Sequence, residues 1–182
     1  MSTESETTVP AAGAASPLYR VPDQIAWVVE DLDAAVERMA QTLGAAPWIG
    51  WNYTADYVPE RIFRGEPGQF ESRVAAHIDL HPNLEVIQPI SGSGPSVFTE
   101  FLEQHGPGVQ HLGYFVEAYE PVAEYLKDLG YEEIMAGGKH GVDGDGWWGH
   151  FTRPEDPTGL GIEIVEPPAR RRDPHFTLLA DR

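Results

Sequence analysis

The chain has 182 residues, 41% hydrophobic and 23% charged, enough for one packed domain or two small units sharing a core. Acidic residues outnumber basic ones 29 to 12, for a formal charge of −17, and no basic stripe interrupts them, so nucleic acid is excluded as a partner. Cysteine is absent, which removes disulfides, thiolate metal sites and cysteine nucleophiles.

The opening MSTESETTVPAAGAASP, residues 1–17, has no hydrophobic period and reads as a disordered leader. It shows no basic patch followed by an apolar core, and no later run approaches the length of a membrane span. A cytoplasmic protein with no membrane association is therefore expected.

A first unit is expected over 18–90. It opens with Gln24-Ile-Ala-Trp-Val-Val-Glu30, a β-rich run in which Gln24, Ala26 and Val28 share one face. Leu32, Val36, Met39 and Leu43 then recur at helical spacing. Asp31 or Asp33 is placed to cap this helix, and Gly44 is placed to end it. Trp48, Trp51, Tyr53 and Tyr57 crowd what is expected to be a loop. SRVAAHIDL (72–80) reads as a strand, and Leu84-Glu-Val-Ile-Gln-Pro89 as another that stops at proline. A linker over 91–107 carries SGSGPS and a short helix, VFTEFLEQHG.

The second unit, 108–168, repeats this order. His111-Leu-Gly-Tyr-Phe-Val-Glu117 aligns with the run at Gln24, and Val122, Leu126 and Leu129 with the first helix. Pro121 suits its first turn and Gly130 its end. EEIMAGG and WWGHFTRP supply two further strands, and Ile162-Glu-Ile-Val-Glu-Pro167 matches the earlier LEVIQP position for position. The GVDGDG stretch lacks the later glutamate of a calcium loop and reads as a plain turn. The tail, 169–182, is irregular, with Phe176, Leu178 and Leu179 available to dock on the body or on a partner subunit. The expected fold is α+β, two βαβββ modules whose sheets pair into a partly closed cleft.

The repeat holds Gln24 in register with His111, and Glu85 with Glu163. Each stands inside a strand among apolar neighbours, where a polar side chain must face solvent, find a partner or bind something. Four metal-ligating types at matched positions of a duplicated unit point to a metal site.

The stretches PDQIAWVVEDLDAAVERM, LEVIQP, VQHLGYFVEA and GIEIVEPP, in that order, resemble the ligand strands of the vicinal oxygen chelate superfamily, which includes glyoxalase I and methylmalonyl-CoA epimerase. The resemblance spans about 20–168 and implies one divalent metal per site, Zn, Ni, Co or Mn, held by Gln24, Glu85, His111 and Glu163. It further implies proton abstraction next to a carbonyl through a metal-stabilised enolate, in an isomerase, epimerase or lyase. Glu163 is the expected base, with Glu85 as ligand and second base. Gln at position 24 departs from the iron set of the extradiol dioxygenases. Trp48, Trp51, Tyr53, Trp147, Trp148 and His150 are expected to wall a pocket for a bulky, mostly uncharged small molecule. A homodimer is expected. Glyoxalase I or methylmalonyl-CoA epimerase proper are alternatives. Against the first stands the lack of a basic cluster, Arg61, Arg64 and Arg73 being the first unit's candidates. A metal-free, antibiotic-like binding protein is the alternative from another class.

Overall fold

The first helix begins and ends where its residues dictate. The structure is a computed structural model that describes residues 16–154, 156 and 158–179. All but the last two residues of the expected leader therefore lie outside the described residues. Asp31 accepts from the Ala34 amide at 3.0 Å and starts α1 (Leu32–Leu43), and Gly44 ends it at φ 71°. Asp33, the other candidate cap, pairs instead with Arg73. Ser96 and Thr99 form a reciprocal capping box at the start of α2 (Val97–His105). At α3 (Tyr119–Asp128) Ala118 offers no side-chain cap; the Glu166 carboxylate takes the Tyr119 amide at 2.8 Å instead.

The strands are β1 (Gln24–Val28), β2 (Trp48–Tyr53), β3 (Glu60–Phe63), β4 (Glu66–Pro67), β5 (Ser72–His77) and β6 (Asn83–Pro89), followed by β7 (Gly108–Phe115), β8 (Glu132–Gly138), β9 (Trp147–Thr152), β10 (Gly161–Glu166) and β11 (Phe176–Leu178). All join one sheet in the order β11-β2-β5-β6-β1-β7-β10-β9-β8-β3-β4. The repeat is visible in this order. β1 lies parallel to β6, β7 lies parallel to β10, and the two halves meet where β1 runs antiparallel to β7.

The stretch expected as an aromatic loop is strand β2. Its W-I-x-W-x-Y pattern has period two, and aromatic and β-branched residues suit a pleated, half-buried surface. The crossing of the hairpin β3–β4 was also not expected. It leaves the first half and pairs with β8, the outer strand of the second, while β11 returns from the chain's end to pair with β2, the outer strand of the first. Each half thus covers an edge the other would expose, which removes unpaired ladder groups from solvent.

Apolar residues sort to the two faces by strand alternation. On one face, α1 buries Leu32 and Val36 against Trp48, Ala75, Leu84 and Val86, and Phe176, Leu178 and Leu179 of the tail pack on the same cluster. On that face of the other half, α3 buries Tyr119, Val122, Ala123 and Leu126 against Phe151 and Ile164. The opposite face holds a third cluster, with Trp51, Phe70, Phe98, Met135 and Trp148. That face carries the site. No helix among the described residues is long and apolar enough to cross a membrane.

Candidate functional site

Five consecutive strands, β6, β1, β7, β10 and β9, each give one polar side chain to the same place: Glu85, Gln24, His111, Glu163 and His150. All come from a single chain, and all are buried. Register explains the convergence. Glu85 and His111 both stand opposite Ala26, in one cross-strand row. Gln24 and Glu163 both stand opposite Gly113 in the next, and His150 extends that row as the partner of Glu163. Each row has a small residue at its centre, so its longer neighbours lean inward. Gly113 is needed for this: a Cβ there would lie 2.8 Å from Gln24 Oε1 and 3.5 Å from Glu163 Oε2.

The imidazole of His111 fixes the electrostatics. Its Nδ1 donates to Gln110 Oε1 at 2.7 Å, leaving the lone pair on Nε2. Nε2 is fully buried without a hydrogen-bond partner; it faces Glu163 Oε2 at 3.3 Å and Glu85 Oε2 at 3.7 Å. Burial lowers the His111 pKa and keeps the ring neutral, against the pull of Glu163. A neutral nitrogen lone pair aimed at two carboxylates leaves acceptors facing acceptors, an arrangement a cation between them would satisfy.

The two carboxylates are driven apart. Burial raises the Glu85 carboxyl well above its ordinary range and the charge of Glu163 adds to this, while a hydrogen bond from Gln24 opposes it. Burial would raise Glu163 as well, but His150 beside it holds it below the usual carboxylate range. His150 Nε2 lies 3.2 Å from Glu163 Oε1, so Glu163 turns one oxygen to each histidine.

The donors fit a divalent ion. His111, His150 and Glu163 have ligating atoms within 4.8 Å of one another. Two of these, His111 and Glu163, together with Glu85 and Gln24 make up the quartet expected from the repeat, in which one nitrogen and three oxygens match Zn, Ni, Co or Mn. His150 is the addition, expected as a pocket residue and found against Glu163.

A pocket opens beside these donors, lined by Trp51, Tyr53, Trp148 and His150, as expected, and by Tyr57, Phe70 and Phe98. Burial, with the charges of Glu85, Tyr57 and Glu163, raises the Tyr53 hydroxyl well above its ordinary value, so it stands in the pocket as a neutral phenol. Trp48 and Trp147 do not line the pocket. Alternation turns each to the other face of its strand: Trp48 packs under α1, its Nε1 donating to Ala45 O at 2.6 Å, and Trp147 meets Tyr119 of α3 at 6.2 Å between ring centroids. The lining also includes residues that periodicity did not mark, among them buried His140, Pro167, Pro168 and the exposed Arg171. The first unit's three candidate arginines, which did not form an evident basic cluster in the sequence, are each paired with a carboxylate: Arg61 with Glu71, Arg64 with Glu100 and Arg73 with Asp33.

The chain matches the family model of the Glyoxalase/Bleomycin resistance protein/Dioxygenase superfamily over residues 23–148. Similar solved structures include a methylmalonyl-CoA epimerase from Mycobacterium tuberculosis, 22% identical with a TM-score of 0.56, covering 86% of this chain and 93% of that one. A Streptomyces coelicolor methylmalonyl-CoA epimerase in complex with 2-nitronate-propionyl-CoA is 21% identical, with a TM-score of 0.53 and coverage of 81% and 97%. A hypothetical protein from Bacillus halodurans C-125 is 15% identical, with a TM-score of 0.55 and coverage of 84% and 97%. At these identities the likeness is one of fold. No curated protein matches the chain.

Proposed function

This chain belongs to the glyoxalase/bleomycin resistance protein/dioxygenase superfamily, and from that premise we propose that it is a divalent-metal-dependent isomerase, epimerase or lyase that takes a proton from carbon next to a carbonyl. The observation that carries this reading is the lone pair of His111 Nε2, buried without a partner and aimed at the carboxylates of Glu85 and Glu163. Gln24, Glu85, His111 and Glu163 would hold a cation there, and it would supply Lewis-acid stabilisation of the negative charge on a substrate carbonyl oxygen.

The protein's own groups do the rest. Glu163 takes the proton and returns it, and His150, close to its other oxygen, keeps the carboxylate oriented during the transfer. Glu85, across the site, holds the second acceptor position. Tyr53 offers a neutral O–H to a substrate oxygen. Trp51, Phe70 and Trp148 exclude water and hold a bulky, mostly apolar body. The resemblance implies a homodimer, and light scattering of the purified protein checks this.

The test is metal content by mass spectrometry of wild type and of the His111→Ala, Glu163→Ala double variant. About one Zn, Ni, Co or Mn per chain, lost in the double variant, is the expected result. A wild type that neither carries nor takes up any of these ions overturns the enzyme reading and leaves the aromatic pocket as a binding site.

A further inference from the structure

Three arginines stand in a row after the last strand of the repeat, Arg170, Arg171 and Arg172, and the tail carrying them is fixed. The Ala169 amide donates to Asp145 Oδ2 at 2.7 Å, and the Val142 amide donates to Arg170 O at 3.0 Å. Further on, Trp51 Nε1 donates to Arg172 O at 3.3 Å, and the His175 amide to Gly50 O at 2.8 Å. The acidic residues of the GVDGDG turn therefore serve as anchors. The segment straps the second half to the first.

Neighbouring residues of this extended segment have different engagements. Arg170 pairs with Asp143 at 2.7 Å. Arg172 donates to the carbonyls of Gly141 and Asp56 and lies over the Tyr57 ring. Arg171, between them, lines the pocket. Its guanidinium lies 5.8 Å from the centre of the Phe115 ring and forms no ion pair among the described residues.

We propose that Arg171 is the recognition residue for a single carboxylate on the substrate, seated at the pocket mouth while the carbonyl end reaches the Gln24, Glu85, His111 and Glu163 cluster. One planar guanidinium matches one carboxylate in a two-pronged hydrogen bond. His140 borders the same pocket; it is 7% exposed, with Nδ1 buried and unpartnered. Burial lowers its pKa to about 4 and Arg171 adds to this, so the ring is neutral near pH 7 and leaves the positive charge in the pocket lining to Arg171. The substrate class is thus a monocarboxylate with an apolar or aromatic middle and a reactive carbonyl at the far end.

The reactive-carbonyl part of this assignment rests on the proposed function; the carboxylate part is tested without it. The probes are 4-phenylbutyrate and its neutral amide, added near pH 7 in excess EDTA to wild type, Arg171→Gln, Arg171→Ala and His111→Ala. Binding is read from quenching of Trp51 and Trp148 and confirmed by ligand-observed NMR. In EDTA any cation is removed, and the carboxylate cluster repels the acid. Wild type is expected to prefer the acid about tenfold. That preference is expected to vanish in both Arg171 variants and to persist in His111→Ala. Equal affinity for acid and amide in wild type, binding of neither, or a preference that survives Arg171→Gln would each overturn the assignment. A failure of metal uptake leaves this comparison readable, so the two proposals fail separately.

Discussion

Gly113→Ala tests whether the two cross-strand rows form a ligand set. The added Cβ would lie 2.8 Å from Gln24 Oε1 and 3.0 Å from Gln24 Cβ, where carbon atoms rest at about 3.5 Å or more. Rotating the Gln24 amide relieves the first contact. The second involves an atom fixed to the backbone of β1, so it is relieved only if β1 and β7 part by about half an ångström or Gln24 leaves its rotamer. Either way Gln24 moves from its place beside Glu85 and Glu163. Divalent-metal affinity is expected to fall about 10- to 100-fold, the usual cost of disturbing a ligand's support. The overpacking is expected to cost about 1–2 kcal/mol of stability. Gly108→Ala, in the same strand, is the control, because its Cβ would meet Phe101 at an ordinary 3.7 Å. Zinc competition against a chromophoric chelator reads the affinity, and urea titration reads the stability. A folded Gly113→Ala protein with wild-type zinc affinity would refute the reasoning, since the cation would then not depend on Gln24.

Further predictions separate the roles of neighbouring residues. If the cation sits in the quartet, Glu85→Ala abolishes stoichiometric metal while His150→Ala weakens it about tenfold; retention in Glu85→Ala with loss in His150→Ala would place it between His111, His150 and Glu163. His140 titrates from about 4 in the fold against 6.5 in the unfolded chain, lowered by burial and by Arg171 and Arg172, and opposed by Glu163 and Asp145. The unfolded state therefore binds more protons between these values. The stability of neutral His140 is complete above about pH 6.5 and is lost as pH falls toward 4, by about 3 kcal/mol. His140→Gln should flatten that part of a urea-midpoint profile, and an unchanged profile would assign the loss to other groups. Phe176→Ala removes a ring seated on Gly50, with Arg73 5.2 Å from its centre, and should cost about 1–2 kcal/mol in urea unfolding. A cost near zero would mean that the strap is undocked in solution.

Local signals read well from the sequence, and pairings between distant segments did not. Gly44 and Gly130 end helices because each adopts positive φ, and such a requirement is local. The common face of Gln24, Ala26 and Val28 follows from period two, and all three are buried. The same period turns Trp147 away from Trp148 in the strand already expected at WWGHFTRP, and turns Trp48 away from Trp51 once the stretch expected as a loop is known to be β2. The contact of His150 with Glu163 needed the register between β9 and β10. Repeat matching could not supply it, because His150 has no counterpart in the first half. The crossing of β3–β4 and the path of the tail depend on exposed edges that exist only after the sheet has formed.

The duplication explains the symmetry of the cluster, and the departures from it explain where a ligand can go. Glu85 stands opposite Ala76 on β5, as Glu163 stands opposite His150 on β9. The second half thus fills its flank with an imidazole packed edge-on against Phe98 and Trp148. The first half has a methyl group there, and Ala76 and Val74 line the pocket. The flank beside Glu85 is therefore the roomier one, while the flank of Glu163 holds the bulkier His150, and both halves line the pocket. That difference gives two otherwise equivalent carboxylates separate surroundings. Glu163 turns one oxygen to each histidine, and His150 holds it below the usual carboxylate range. Glu85 faces the open flank, where an incoming oxygen can replace one of its contacts. The strap continues the same asymmetry, since it leaves the second half and closes over the first, bringing Arg171 to the mouth of the pocket.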